Sequence, residues 1–152
     1  MKYLLEFKKY KSIDYLSGVL LIVEDRVLLV LAKKHKRKNK MWSIPKGHIE
    51  GKNLKSAIKE LGEETGIKLD KNYDKKVKTA FVFNKKLKKM KVYIYKKSLS
   101  DISKYVKSDF TIKKKTLKKV DSEIYDVKFF KISEIENYLQ KEQLYIFNKL
   151  FK

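Results

Sequence analysis

The chain has 152 residues, 39 basic against 18 acidic for a net charge of +21, and no cysteine. The length suits one domain with a proper core, and the absence of cysteine excludes disulfides and thiol chemistry. No stretch has the apolar length of a membrane span or of a signal-peptide core, so a soluble, cytoplasmic protein with no membrane partner is expected. The positive surface attracts polyanions such as nucleotides, polyphosphate or RNA. Only Arg26 and Arg37 are arginine. A surface shaped for phosphate grip would use the bidentate fork of arginine more often, so the lysine excess reads chiefly as codon bias of an AT-rich genome.

In chain order, residues 2–12 read as an extra strand ahead of a hairpin over residues 17–32. The continuous apolar run Gly18-Val19-Leu20-Leu21-Ile22-Val23 is a buried strand and Val27-Leu28-Leu29-Val30-Leu31 its partner, with Glu24-Asp25-Arg26 as the turn. A basic loop follows at residues 33–40. A helix is expected over residues 54–65, with Asn53 as N-cap and Gly66 just past its end. Its apolar residues Leu54, Ala57, Ile58 and Leu61 form a stripe to one side of its acids. Strands over residues 77–84 and 90–95 are joined by the lysine-rich residues 85–89, and Tyr93, Tyr95, Phe81 and Phe83 alternate on them. Residues 97–122 read as a polar insertion loop, helical at 101–106. A last strand over residues 125–132 precedes a final helix over 134–151, opened by a capping box of Ser133 and Glu136 and packing through Ile135, Leu139, Ile146 and Leu150. Strands around two helices make an α/β or α+β sandwich in one domain, residues 1–152.

Two segments carry chemistry. Lys59-Glu60-Leu61-Gly62-Glu63-Glu64-Thr65-Gly66-Ile67 packs three carboxylates into five residues. At about 100° per residue Glu60, Glu63 and Glu64 share one helix face. Like charges so close repel unless a cation sits among them, and carboxylate oxygens suit Mg²⁺ or Mn²⁺. A solvated acidic face is the alternative reading of the helix taken alone. Upstream lies Trp42-Ser43-Ile44-Pro45-Lys46-Gly47-His48-Ile49-Glu50.

Together the two segments resemble the Nudix hydrolase signature, a box over about residues 47–67. The lead-in P-K-G-H-I-E is similar to that of the diadenosine tetraphosphate hydrolase branch. The chain departs from the pattern twice. Lys59 stands at the box arginine, and the loop from Gly47 to Lys59 spans 12 steps, two fewer than usual, so the first box glutamate is lost near Lys52 or Asn53.

The resemblance implies a mixed sheet sandwiched between helices and a Mg²⁺- or Mn²⁺-dependent pyrophosphohydrolase, with a dinucleoside polyphosphate such as diadenosine tetraphosphate as substrate. It implies Glu60 and Glu64 as metal ligands at i and i+4, Glu63 as a further ligand or the base for water, and Lys59 as the residue that steadies a box glutamate. Gly47 would let backbone approach the metal and phosphate. Glu123 holds a place where some relatives carry an extra metal ligand. Lys46 and His48 are candidates for phosphate contact, and Trp42 for stacking on a base, with a core role as its alternative. RNA 5′-end processing, decapping and clearance of nucleoside triphosphates use the same box. A non-catalytic nucleotide or RNA binder on this fold is the reading of another class.

Overall fold

The computed structural model describes residues 13–38 and 40–151. The strand expected over residues 2–12 lies outside them. The apolar run forms the central strand β1, Ile13–Val23, which pairs in parallel with β5, Lys86–Lys97, over its whole length from Ile13 opposite Leu87 to Val23 opposite Lys97. On its other side β1 forks. Its last two residues pair with β2, Arg26–Ala32, while Leu16, Ser17 and Gly18 pair with the short β3, Lys46–His48. With β4, Lys75–Phe83, and β6, Ile124–Lys131, the order is β4-β5-β1-β2-β6, mixed parallel and antiparallel.

A strand this apolar must be covered on both faces. Leu16, Leu20, Ile22, Val27 and Leu29 point into one core with Phe130, Ile135, Leu139, Ile146 and Phe147. Val19, Leu21, Val23, Leu28 and Val30 point into the other, against helix α1, Asn53–Thr65, through Ala57 and Leu61. The result is the expected α+β sandwich.

Several expectations need correction. The hairpin turns are tighter than the polar runs suggested. Arg26 pairs with Val23, leaving two loop residues, of which Glu24 has φ 58°. Residues 86–89 are strand rather than loop, because Asn84 and Lys85, at φ 51° and 62°, make the two-residue turn alone and Leu87 is buried. Asn53 is the first helical residue rather than the N-cap. Lys52 holds that place without a side-chain bond, and Ser56 ties the helix start to the loop instead, its hydroxyl accepting the Glu50 N–H at 2.9 Å and donating to the Glu50 carbonyl.

Residues 97–122 are packed, not projecting. Ile102, Val106, Ile112 and Thr116 are buried against the α1-side core, and the helical part is the single turn α2, Lys114–Leu117. The final helix is not continuous. Two 3₁₀ turns, Ile132–Asn137 and Lys141–Gln143, precede α3, Leu144–Phe151, and Lys131 caps the first of them without a side-chain bond, so Ser133 and Glu136 open no long helix. Ile135 and Leu139 are buried nonetheless, because the turns lie flat on the sheet. Gly66 ends α1 as expected, at φ 76° with its N–H on the Gly62 carbonyl at 2.9 Å.

Candidate active site

The site forms where the β1–β2 fork opens. Residues 42–48 enter the gap, with Ser43 bridging Val30 and the Pro45 carbonyl accepting the Val19 N–H at 3.1 Å. This runs β3 alongside the C-terminal half of α1. The Lys46 N–H donates to Glu64 Oε1 at 2.9 Å, which fixes loop to helix within the box. A Cβ built on Gly47 would overlap the Glu60 carboxyl group, so the glycine is what lets this carboxylate lie on the β3 backbone.

Burial dominates the electrostatics. It pushes the Glu64 carboxyl up to about 8, against the Lys46 N–H and ammonium, which oppose the shift. Glu60 is raised too, first by burial and then by the Glu63 carboxylate beside it. Glu63 is exposed and reaches toward solvent. Lys59 lies between Glu50 at 3.2 Å and Glu63 at 3.8 Å, and Glu50 brings a second carboxylate to it from the shortened loop. The Glu50 hydrogen bond, then its charge and that of Glu63, raise the Lys59 ammonium.

Among the described residues no three acidic or histidine side chains stand close enough together to hold a cation. Glu64 nonetheless senses the Glu60 charge, and both sense Asp121, which is tied to the helix by its N–H on the Glu63 carbonyl at 2.7 Å. Two partly buried carboxylates pushed up by desolvation and by neighbouring acids, beside a backbone made accessible by a glycine, are a donor set that fits a hard divalent cation. Asp121 has no box position and was not legible from the motif.

A cleft of about 230 Å³ adjoins Glu64. Glu64, Lys46 and Glu123 line it, joined by Lys34, His35 and Lys88, with Phe81 and Phe83 on a wall. The basic loop does therefore bring cations to the site. Burial lowers the Lys46 ammonium, and burial followed by the charges of Lys34, Lys38 and Lys46 lowers His35. Lys34, His35 and Lys88 were not singled out by the motif; the tertiary fold delivers them from other elements. Of the other sequence candidates, His48 is exposed on β3, outside this cleft. Trp42 packs edge-on against Phe130 at 4.7 Å and onto the core, the role given above as its alternative.

The fold is shared with solved proteins of low sequence identity. The Caenorhabditis elegans Ap4A hydrolase, in a binary complex, is 17% identical with TM-score 0.64 over 90% of this chain and 94% of that one. The NUDIX domain of Shewanella oneidensis NrtR, complexed with ADP ribose, is 16% identical with TM-score 0.65 over 98% and 94%. A NUDIX hydrolase from Nitrosomonas europaea is 16% identical with TM-score 0.64 over 89% and 84%. No curated protein matches the sequence. The family described as NUDIX domain matches residues 15–150. With the box carboxylates, the glycine against Glu60 and the mixed sheet in place, the chain belongs to the NUDIX domain family, that of hydrolases acting on phosphoanhydride bonds.

Proposed function

We propose that residues 1–152 form one NUDIX hydrolase domain that cleaves dinucleoside polyphosphates such as diadenosine tetraphosphate, in the cytoplasm and with Mg²⁺, or Mn²⁺ in its place, as cofactor. The observation that carries this reading is the cleft that sets three lysines and two phenylalanine rings next to Glu64. The P-K-G-H lead-in supports the dinucleoside polyphosphate among the family's substrates.

Glu60, Glu64 and the Gly47 carbonyl would hold the cation. When bound, the cation neutralises phosphate charge and makes water nucleophilic near neutral pH. Lys46, Lys34 and Lys88 bind the phosphate chain and offset the charge that builds on the leaving phosphate. Phe81 or Phe83 offers a face for a base. Glu63, steadied by Lys59, takes the proton of the attacking water. Water oxygen adds to phosphorus as the anhydride P–O bond breaks, and the proton ends on the released phosphates.

The net charge of +21 favours RNA 5′ ends as a second substrate class. Product analysis with Mg²⁺ on diadenosine tetraphosphate, capped RNA, 5′-triphosphate RNA and nucleoside triphosphates tests both, with wild type and Glu64→Gln side by side. ATP and AMP from diadenosine tetraphosphate, absent with Glu64→Gln, is the expected result. Preferential release from RNA ends would move the substrate, and no metal-dependent turnover on any substrate would make the domain a binding protein.

A further inference from the structure

We propose that Ser17 is the positioning residue for Glu60 in the cation-holding form of the site, an inference that rests on the metal reading above. Ser17 is fully buried in β1, and its hydroxyl has no hydrogen-bond partner among the described residues. Buried polar groups are almost always paired, so an orphan calls for a reason. The strand pattern sharpens the question. Val19, Leu21 and Val23, which follow at every second position and share its face, are apolar and pack on the α1-side core. The serine breaks that row at one place.

That place is opposite Gly47. Ser17 and Gly47 are Cα partners in the β1–β3 pair. Directly opposed residues project to the same face of a sheet with their side-chain roots only about 5 Å apart. The side-chain position of Gly47 is the space that the Glu60 carboxyl group fills. The Ser17 hydroxyl therefore emerges beside that carboxyl, on the face covered by α1. A hydroxyl donates one hydrogen bond and a carboxylate only accepts, so the two are matched. With one Glu60 oxygen engaged by Ser17, the other would be left to hold the cation. Groups that orient metal ligands in this way typically tune affinity by about 10- to 100-fold.

The test is Mn²⁺ titration followed by electron paramagnetic resonance, with thermal melting in EDTA, on wild type, Ser17→Ala and Glu64→Gln. The expected result is Mn²⁺ affinity about tenfold weaker or more in Ser17→Ala. Its metal-free melting temperature should be unchanged or higher, because an unpaired buried hydroxyl has been removed. Mn²⁺ affinity within about twofold of wild type would overturn the role, as would a lower metal-free melting temperature, which would mark Ser17 as purely structural. Glu64→Gln separates the two readings. If it binds Mn²⁺ like wild type, the metal reading itself falls and Ser17's role with it. If it loses binding while Ser17→Ala keeps it, only the Ser17 role is lost.

Discussion

Ile44 and Gln143 are joined across 99 positions of sequence. The Ile44 N–H donates to Gln143 Oε1 at 3.0 Å, and both residues are fully buried. The other end of the amide donates to the Ser43 hydroxyl at 2.8 Å, and that hydroxyl donates to the Ile44 carbonyl at 2.7 Å. One side chain from the C-terminal turns thus satisfies the loop that carries Lys46 and Gly47 into the site. Gln143→Ala strands the buried Ile44 N–H and removes the donor to the Ser43 hydroxyl, which keeps its own bond to the Ile44 carbonyl. The expected cost is about 1–3 kcal/mol of unfolding free energy, measured by urea denaturation, with turnover falling as the loop loses its anchor.

Gly47→Ala puts a methyl group where the Glu60 carboxyl lies. The atoms in the way are the end of a flexible side chain, so the Glu60 side chain swings aside at little cost in stability. The carboxylate moves with it, so metal-dependent turnover should fall more steeply than the melting temperature implies. Thermal melts and phosphate-release assays on the same preparation compare the two. Full turnover in Gly47→Ala would show that Glu60 need not lie against β3.

Glu64 makes the metal-free protein sensitive to alkali. Burial lifts its carboxyl from 4.5 to about 8 in the folded chain, so between these values the folded state binds the proton that the unfolded state has released. Stability contributed by the protonated acid is full below about pH 4.5 and is lost as pH rises through about 8. Melting temperature in EDTA should therefore fall across this window, and Glu64→Gln, which imitates the neutral acid, should flatten the slope. A cation competes with the same proton, so metal affinity should rise over the same range. Wild type and Glu64→Gln curves that run parallel in EDTA would rule this out.

Glu64→Gln also tests the chemistry. If Glu64 holds the cation as proposed, its loss should reduce turnover by several kcal/mol of transition-state stabilisation, about 10³-fold, with circular dichroism unchanged.

Lys59 is expected to act through its neighbours. Its bridges to Glu50 and Glu63 are exposed, so Lys59→Ala should leave the melting temperature unaltered. Turnover should drop several-fold as the Glu63 carboxylate loses its support. Lys59→Arg, with two forks for two carboxylates, should match or exceed wild type. Equal rates in all three proteins would leave Lys59 as surface charge only.

Local pattern was enough where a segment's own periodicity met its own burial. The run from Gly18 to Val23 had to be a strand covered on both faces, since no other arrangement hides so many consecutive apolar side chains. The spacing of Glu60, Glu63 and Glu64 put them on one helix side, and Gly66 marked the end of that helix. Lysine misled wherever strands carried it: residues 86–89 looked like loop because lysines occupy both faces at the start of β5, where Leu87 alone of the four is buried. The C-terminal segment misled in the opposite sense, since its apolar spacing fits one helix as well as two 3₁₀ turns and a short helix laid on the sheet.

The sequence by itself determined the family, the metal-suited carboxylates and the central strand, because each depends on neighbours close along the chain. The tertiary structure decided which acid is buried, which glycine faces a carboxylate, and which cations share a cleft. Glu63 and Glu64 are adjacent in sequence, yet one is exposed while the other is pushed up to about 8. Lys34, Lys46 and Lys88 meet only because β1 forks and the loop before β3 fills the gap. Desolvation and long-range pairing depend on what packs from elsewhere, and that information exists only once the sheet has formed.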